Sequence, residues 1–272
     1  MPDPRLAQAD ALLRARQPLA AKAILDGVLA GTGPGRGDRR IALLLRSRAF
    51  EDQRQLPPAI ADLRAALALE PRDPKAYNTL GILLADSGDA DGAVGAFRQA
   101  TALDPKYVRG WNNLANALRT QGRAAEALAA AQRAVALQPD YAQAWGTLGV
   151  VQRDLGQETE AEASLRRALA LKPDYVPALT ALAAIARADA RLDDAVALYT
   201  RIGELSPLDG LALLQLGGSL AEIDEVDAAR QAYVRARTAN PRFLRAAFGE
   251  ALTLPMVYTG AADAAAARAT YA

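Results

Sequence analysis

The side chains best suited to chemistry in this sequence are carboxamides and guanidiniums, and both recur at telling intervals. Asn112, Asn113 and Asn116 bring three amides onto one side of a helix, and each amide both donates and accepts hydrogen bonds. Such a set can hold the main chain of an extended polypeptide whatever its side chains are; the alternative is that the asparagines only solvate a helix surface. Arg119, Arg153 and Arg187 recur at one constant interval. Guanidiniums so spaced could pair with carboxylates or carbonyls of a bound chain. They could equally serve the negative end of a helix dipole.

Covalent chemistry has few residues to work with. The 272 residues include no cysteine and no histidine, which excludes zinc sites built from those ligands, thiol redox chemistry and every nucleophile–histidine pair within the chain. The Gly-rich stretch 31–37 has no strand before it, so it does not read as a phosphate-binding loop. No catalytic residue, metal or cofactor is therefore assigned. With 32 basic against 31 acidic side chains, the chain lacks the basic excess that nucleic acid binding needs. The N-terminal Met1-Pro2-Asp3-Pro4-Arg5 is followed by no continuous apolar run, so neither a signal peptide nor a membrane span is expected and the location reads as cytoplasmic.

The elements that must position these groups are helices. Alanine and leucine dominate a 51% hydrophobic composition in which aromatics make up only 5%, which favours helix over sheet. Pro71, Pro105, Pro139, Pro173, Pro207 and Pro241 keep the same constant interval as the arginines, and so do Ala59, Ala93, Ala127, Ala161, Ala195 and Ala229. Six registers follow: 40–73, 74–107, 108–141, 142–175, 176–209 and 210–243. In the clearest, Tyr77, Leu80 and Leu84 form one helical stripe and Ala93, Phe97, Ala100 and Leu103 a second. Small residues at Gly81, Ala115, Gly149, Ala183 and Gly217 let paired helices approach, and Phe97, Tyr199 or Tyr233 fills the gap beside them. Each proline ends a second helix. One pair cannot bury its own stripes, so stability must come from stacking. The expectation is an all-α solenoid of antiparallel helix pairs. A degenerate helical pair and Gly-rich loop precede it over 1–39, and a capping helix and linker follow over 244–272.

The succession Tyr77, Leu80, Gly81, Leu84, Gly88, Ala93, Phe97, Ala100 and Pro105, repeated in phase, resembles the tetratricopeptide repeat (TPR) family in pattern and in period. The resemblance implies an α-α superhelical solenoid whose first helices line a concave groove that holds a protein or peptide. On that reading the groove carries Lys75, Asn78, Thr79, Ile82, Arg109, Asn112, Asn113, Asn116, Arg119, Gln143, Arg153 and Arg187, while Tyr77, Trp111 and Trp145 belong to the packing stripe. The carboxylate clamp of some TPR proteins would need lysine at Asn78, Asn112 or Gly146, so that subtype is not expected.

The run Trp111-Asn112-Asn113-Leu114-Ala115-Asn116 is similar to the asparagine-bearing repeats of O-linked N-acetylglucosamine transferase. Leu254, Pro255, Tyr258, Arg268 and Tyr271 resemble the segment that joins TPR repeats to the catalytic region in bacterial glycosyltransferases of the Spindly and O-linked N-acetylglucosamine transferase kind, flagellin-modifying members included; Ala262 departs from the usual acidic residue. This resemblance implies a non-catalytic arm that recruits a polypeptide substrate, flagellin, for a glycosyltransferase domain absent from this chain. The alternative is a free-standing TPR scaffold in envelope or secretion-system assembly, and a third reading is a self-associating module, a homodimer.

Overall fold

The computed structural model describes residues 3–31, 33 and 35–241. These form fourteen α-helices and no strand: α1 (Pro4–Arg14), α2 (Pro18–Ala30), α3 (Arg36–Asp52), α4 (Leu56–Leu69), α5 (Pro74–Asp86), α6 (Ala90–Leu103), α7 (Val108–Thr120), α8 (Ala124–Leu137), α9 (Ala142–Asp154), α10 (Glu158–Leu171), α11 (Val176–Ala188), α12 (Leu192–Leu205), α13 (Gly210–Glu222) and α14 (Val226–Ala239). The architecture is the expected all-α solenoid of helix pairs, with successive helices packed against one another within each unit. The chain divides into two compact units, Met1–Gly156 and Gln157–Ala272.

Three local devices recur through the helix pairs. The residue before each repeated proline, Glu70, Asp104, Gln138, Lys172, Ser206 or Asn240, leaves its helix with φ between −131° and −145°. The proline ring disfavours helical backbone at the preceding residue, and the helix stops there. Between the helices of a pair the chain turns through a left-handed residue: Arg54, Gly88, Gly122, Gly156, Ala190 and Asp224 all have positive φ and follow one another at the repeat interval.

The third device is a small residue under a ring. A Cβ added at Gly81 would lie 2.6 Å from the Phe97 ring, and one at Gly217 would lie 2.7 Å from Tyr233. Ala115 and Ala183 occupy the corresponding places and are fully buried.

In the first unit, one core runs from Phe50 through Leu63, Leu83, Phe97, Leu114 and Ala131 to Val151. In the second, Leu179, Tyr199, Ile202, Leu216 and Tyr233 make the corresponding core. The start of the chain is tied by charge as well: Arg46 on α3 bonds Asp26 on α2 at 2.8 Å and Asp62 on α4 at 2.7 Å. The hydrogen bond that Arg46 donates to the Asp62 carboxylate holds the guanidinium above its ordinary pKa.

Helix α3 begins at Arg36, inside the stretch 31–37 that the sequence suggests is loop. Gly35 caps it with extended backbone, and the Arg36 guanidinium anchors its first turn to the Leu69 carbonyl at 3.1 Å. The expected capping helix and linker over 244–272, including Leu254, Pro255, Tyr258, Arg268 and Tyr271, lie outside the described residues, as do Phe243, Thr32 and Pro34. No helix among the described residues is long and apolar enough to cross a membrane.

Candidate functional site

The site is built on α5 and α7 of the first unit. Asp73 caps α5, its carboxylate accepting from the Lys75 and Ala76 amides at 3.0 Å. This fixes the first turn, and Lys75, Asn78, Thr79 and Ile82 then fall on one helical face by their spacing. On α7, Arg109 and Asn113 share a face for the same reason. With Tyr107 and Tyr141 these residues line a cleft of about 580 Å³. Lys75 and Arg109 are exposed and Asn78 is 7% exposed. Tyr107 lies against Gly110, where a Cβ would come within 2.8 Å of its ring. Burial pushes the Tyr107 phenol up, against the opposing charge of Arg109.

The asparagines join successive first helices. Asn113 Nδ2 donates to Asn78 Oδ1 at 2.9 Å, linking α7 to α5. Asn116 Nδ2 donates to Thr147 Oγ1 at 3.1 Å, linking α7 to α9, and to the Asn112 carbonyl. Asn112 itself is buried, with no hydrogen-bond partner for its Oδ1 among the described residues. Thus Asn78 and Asn113 reach the cleft wall while Asn112 is withdrawn from it. Gln143 is half-buried on the first turn of α9, outside the cleft walls.

The arginines are placed differently from a row of free cations. In the first unit Arg119 Nη1 meets Asp154 Oδ2 at 3.1 Å, and Arg153 Nη2 meets the other oxygen of the same carboxylate at 3.3 Å. In the second unit Arg187 bonds Glu222 at 2.7 Å and also Gln215. Each arginine stands in the last turn of its helix, where a cation suits the dipole. The acids that neutralise Arg119 and Arg187 lie 35 residues further on, at the end of the next first helix.

A tetratricopeptide repeat model matches residues 44–108, 78–140 and 112–176. Residues 44–176 carry tetratricopeptide repeats. Among curated proteins no sequence matches it. Among solved structures it is similar to PilW, described as a widely conserved type IV pilus biogenesis factor, with a TM-score of 0.69 at 23% identity over 77% of this chain and 97% of that one. The pilF product of Pseudomonas aeruginosa gives a TM-score of 0.68 at 20% identity, covering 80% and 99%. YrrB, described as a TPR protein with an unusual peptide-binding site, gives 0.52 at 19% identity, covering 69% and 97%. At these identities the likeness is one of fold.

The TPR packing stripe accounts for the large aromatics of the first helices. Tyr77, Trp111 and Trp145 pack against the core, and the two indole N–H groups donate to the carbonyls of Pro105 at 3.0 Å and Pro139 at 2.8 Å. Tyr107 and Tyr141 are the cleft residues that sequence reasoning missed. Their signal lies in the spacing: Tyr107, Tyr141 and Tyr175 recur at the repeat interval, each just before a first helix of the TPR array.

Proposed function

We propose that the chain is a protein-binding TPR scaffold whose α5–α7 face receives an extended segment of another polypeptide. The single observation behind this reading is the cleft itself, in which two exposed cations, an asparagine pair and two tyrosines meet between adjacent first helices. Amides can bond a main chain irrespective of its sequence, and tyrosine rings supply rigid contact area. The peptide-binding site named for YrrB supports the same reading.

A pull-down with the intact chain, read by mass spectrometry, tests it. The triple variant Lys75→Ala, Arg109→Ala, Tyr141→Ala should keep its helical circular dichroism and lose the captured partners. An identical set of partners with the variant would remove the cleft from consideration.

The finer form of the reading is recruitment of flagellin for glycosylation, supported by the similarity of residues 254–271 to the linker of bacterial glycosyltransferases. A second reading, a scaffold in envelope or secretion-system assembly, is favoured by the likeness to PilW and to the pilF product. Purified flagellin retained by the immobilised chain, and not by the triple variant, supports the first. Retention of pilus-assembly components with no retention of flagellin supports the second.

A further inference from the structure

The α5–α7 cleft imposes a charge requirement on its occupant. Its walls hold Lys75 and Arg109 and no carboxylate, and no ion pair among the described residues involves either cation. The nearby acids are otherwise engaged: Asp73 caps α5 and pairs with Arg40, and Asp104 accepts from the Lys106 amide. Helix α7 begins without a side-chain cap, so the partial positive charge of its first turn adds to that of Arg109.

The adjoining cleft, between α3 and α5, has the opposite character. It shares Lys75 and Thr79 but carries Glu51 and Asp52. Both acids stand in the last turn of α3, where the helix dipole disfavours them. Burial raises the pKa of Glu51, and the charges of Asp52 and Asp86 raise it further. Arg48 alone among the cleft's cations opposes this, and it also lies 3.7 Å from Asp10. Two neighbouring clefts on one face therefore differ in sign.

Resting on the peptide-binding reading above, we propose that the α5–α7 cleft selects an acidic stretch of the bound polypeptide. Lys75 and Arg109 pair with its carboxylates, and the Asn78–Asn113 pair faces its main chain. The Glu51–Asp52 end of the adjoining cleft repels a continued acidic run. The ligand's charge must fall or reverse as it passes from α7 toward α3, which fixes its register and direction.

Fluorescence anisotropy on the full chain tests this with labelled Gly-Ser peptides of equal length carrying glutamates, glutamines or lysines at the same positions. The glutamate peptide should bind tightest and weaken with added salt. The double variant Lys75→Glu, Arg109→Glu should lose about tenfold in affinity for it and prefer the lysine peptide. A peptide with glutamates followed by lysines should bind better than the all-glutamate peptide, and Glu51→Gln with Asp52→Asn should abolish that advantage.

Equal affinity for the glutamate and glutamine peptides, lost together in Tyr141→Ala, would leave the cleft a peptide site and overturn its charge selection. Failure of every peptide to bind would remove both readings. Full competition by single-stranded DNA at the same concentration would overturn the polypeptide as the class of ligand.

Discussion

The two units use one set of backbone devices and dress them differently. In the first unit, the turns after α5, α7 and α9 place glycine at the left-handed position, whereas the second unit has Ala190 and Asp224 there, with φ of 57° and 61°. Left-handed backbone brings a Cβ toward the following carbonyl, so Ala190 and Asp224, like Arg16 and Arg54 near the start of the first unit, carry strain that those three glycine turns avoid. The exposed faces differ too. The first unit presents Lys75 and Arg109, whose side chains form no ion pair among the described residues, while the second ties Arg187 to Gln215 and Glu222 beside an exposed Leu211. Pairing, prolines and ring-under-glycine contacts make a TPR scaffold; the polarity of the first-helix face is left free to vary.

The largest effects are expected at the helix interfaces. Ala127 in the first unit and Ala195 in the second occupy corresponding sites and are both fully buried. Replacing either with leucine should overpack the helix pair and cost about 1–3 kcal/mol, read as a lowered urea midpoint of the full chain. Similar losses at the two sites would mean that the bricks are energetically alike; an unchanged midpoint for Ala127→Leu would contradict its place in the interface.

Substitutions at the Gly122 and Ala190 turns should give smaller effects of opposite sign. Gly122→Ala puts a side chain at φ 72° and should destabilise by about 1–2 kcal/mol. Ala190→Gly relieves the same strain, partly offset by the greater freedom of glycine in the unfolded chain, and should raise the melting temperature slightly. A fall in stability for Ala190→Gly would show that the second unit accommodates its left-handed alanine without strain.

Sequence period made the scaffold legible because its determinants act locally. Pro105 stops a helix through the residue beside it, and Gly81 and Phe97 meet within one helix pair. The cleft was legible only where its residues sit on a first helix, as Lys75, Asn78, Arg109 and Asn113 do. Tyr107 and Tyr141 precede their helices, so no helical periodicity points them at the cleft. The ion pairs were hidden for another reason. Arg46 reaches Asp26 and Asp62, and Arg119 reaches Asp154, across neighbouring helices. Such contacts depend on helix stacking and long side-chain rotamers, which spacing along the chain does not encode.

The smallest effect is expected at Arg187, and it sharpens the contrast between faces. Its side chain is 35% exposed and that of Glu222 47%, and pairs so open to water contribute about 0–1 kcal/mol. Arg187→Gln should therefore lower stability less than Ala195→Leu. The variant should report in a second way. Burial raises the pKa of the Tyr233 phenol, and the nearby Arg187 charge opposes the rise while Glu222 adds to it. Removing the guanidinium leaves burial and Glu222 unopposed, so the phenolate becomes less favourable and ultraviolet titration should show Tyr233 ionising at higher pH. A loss as large as that of the core substitution, with no movement of the tyrosine titration, would make Arg187 an anchor of the fold instead of a neutralised charge on its surface.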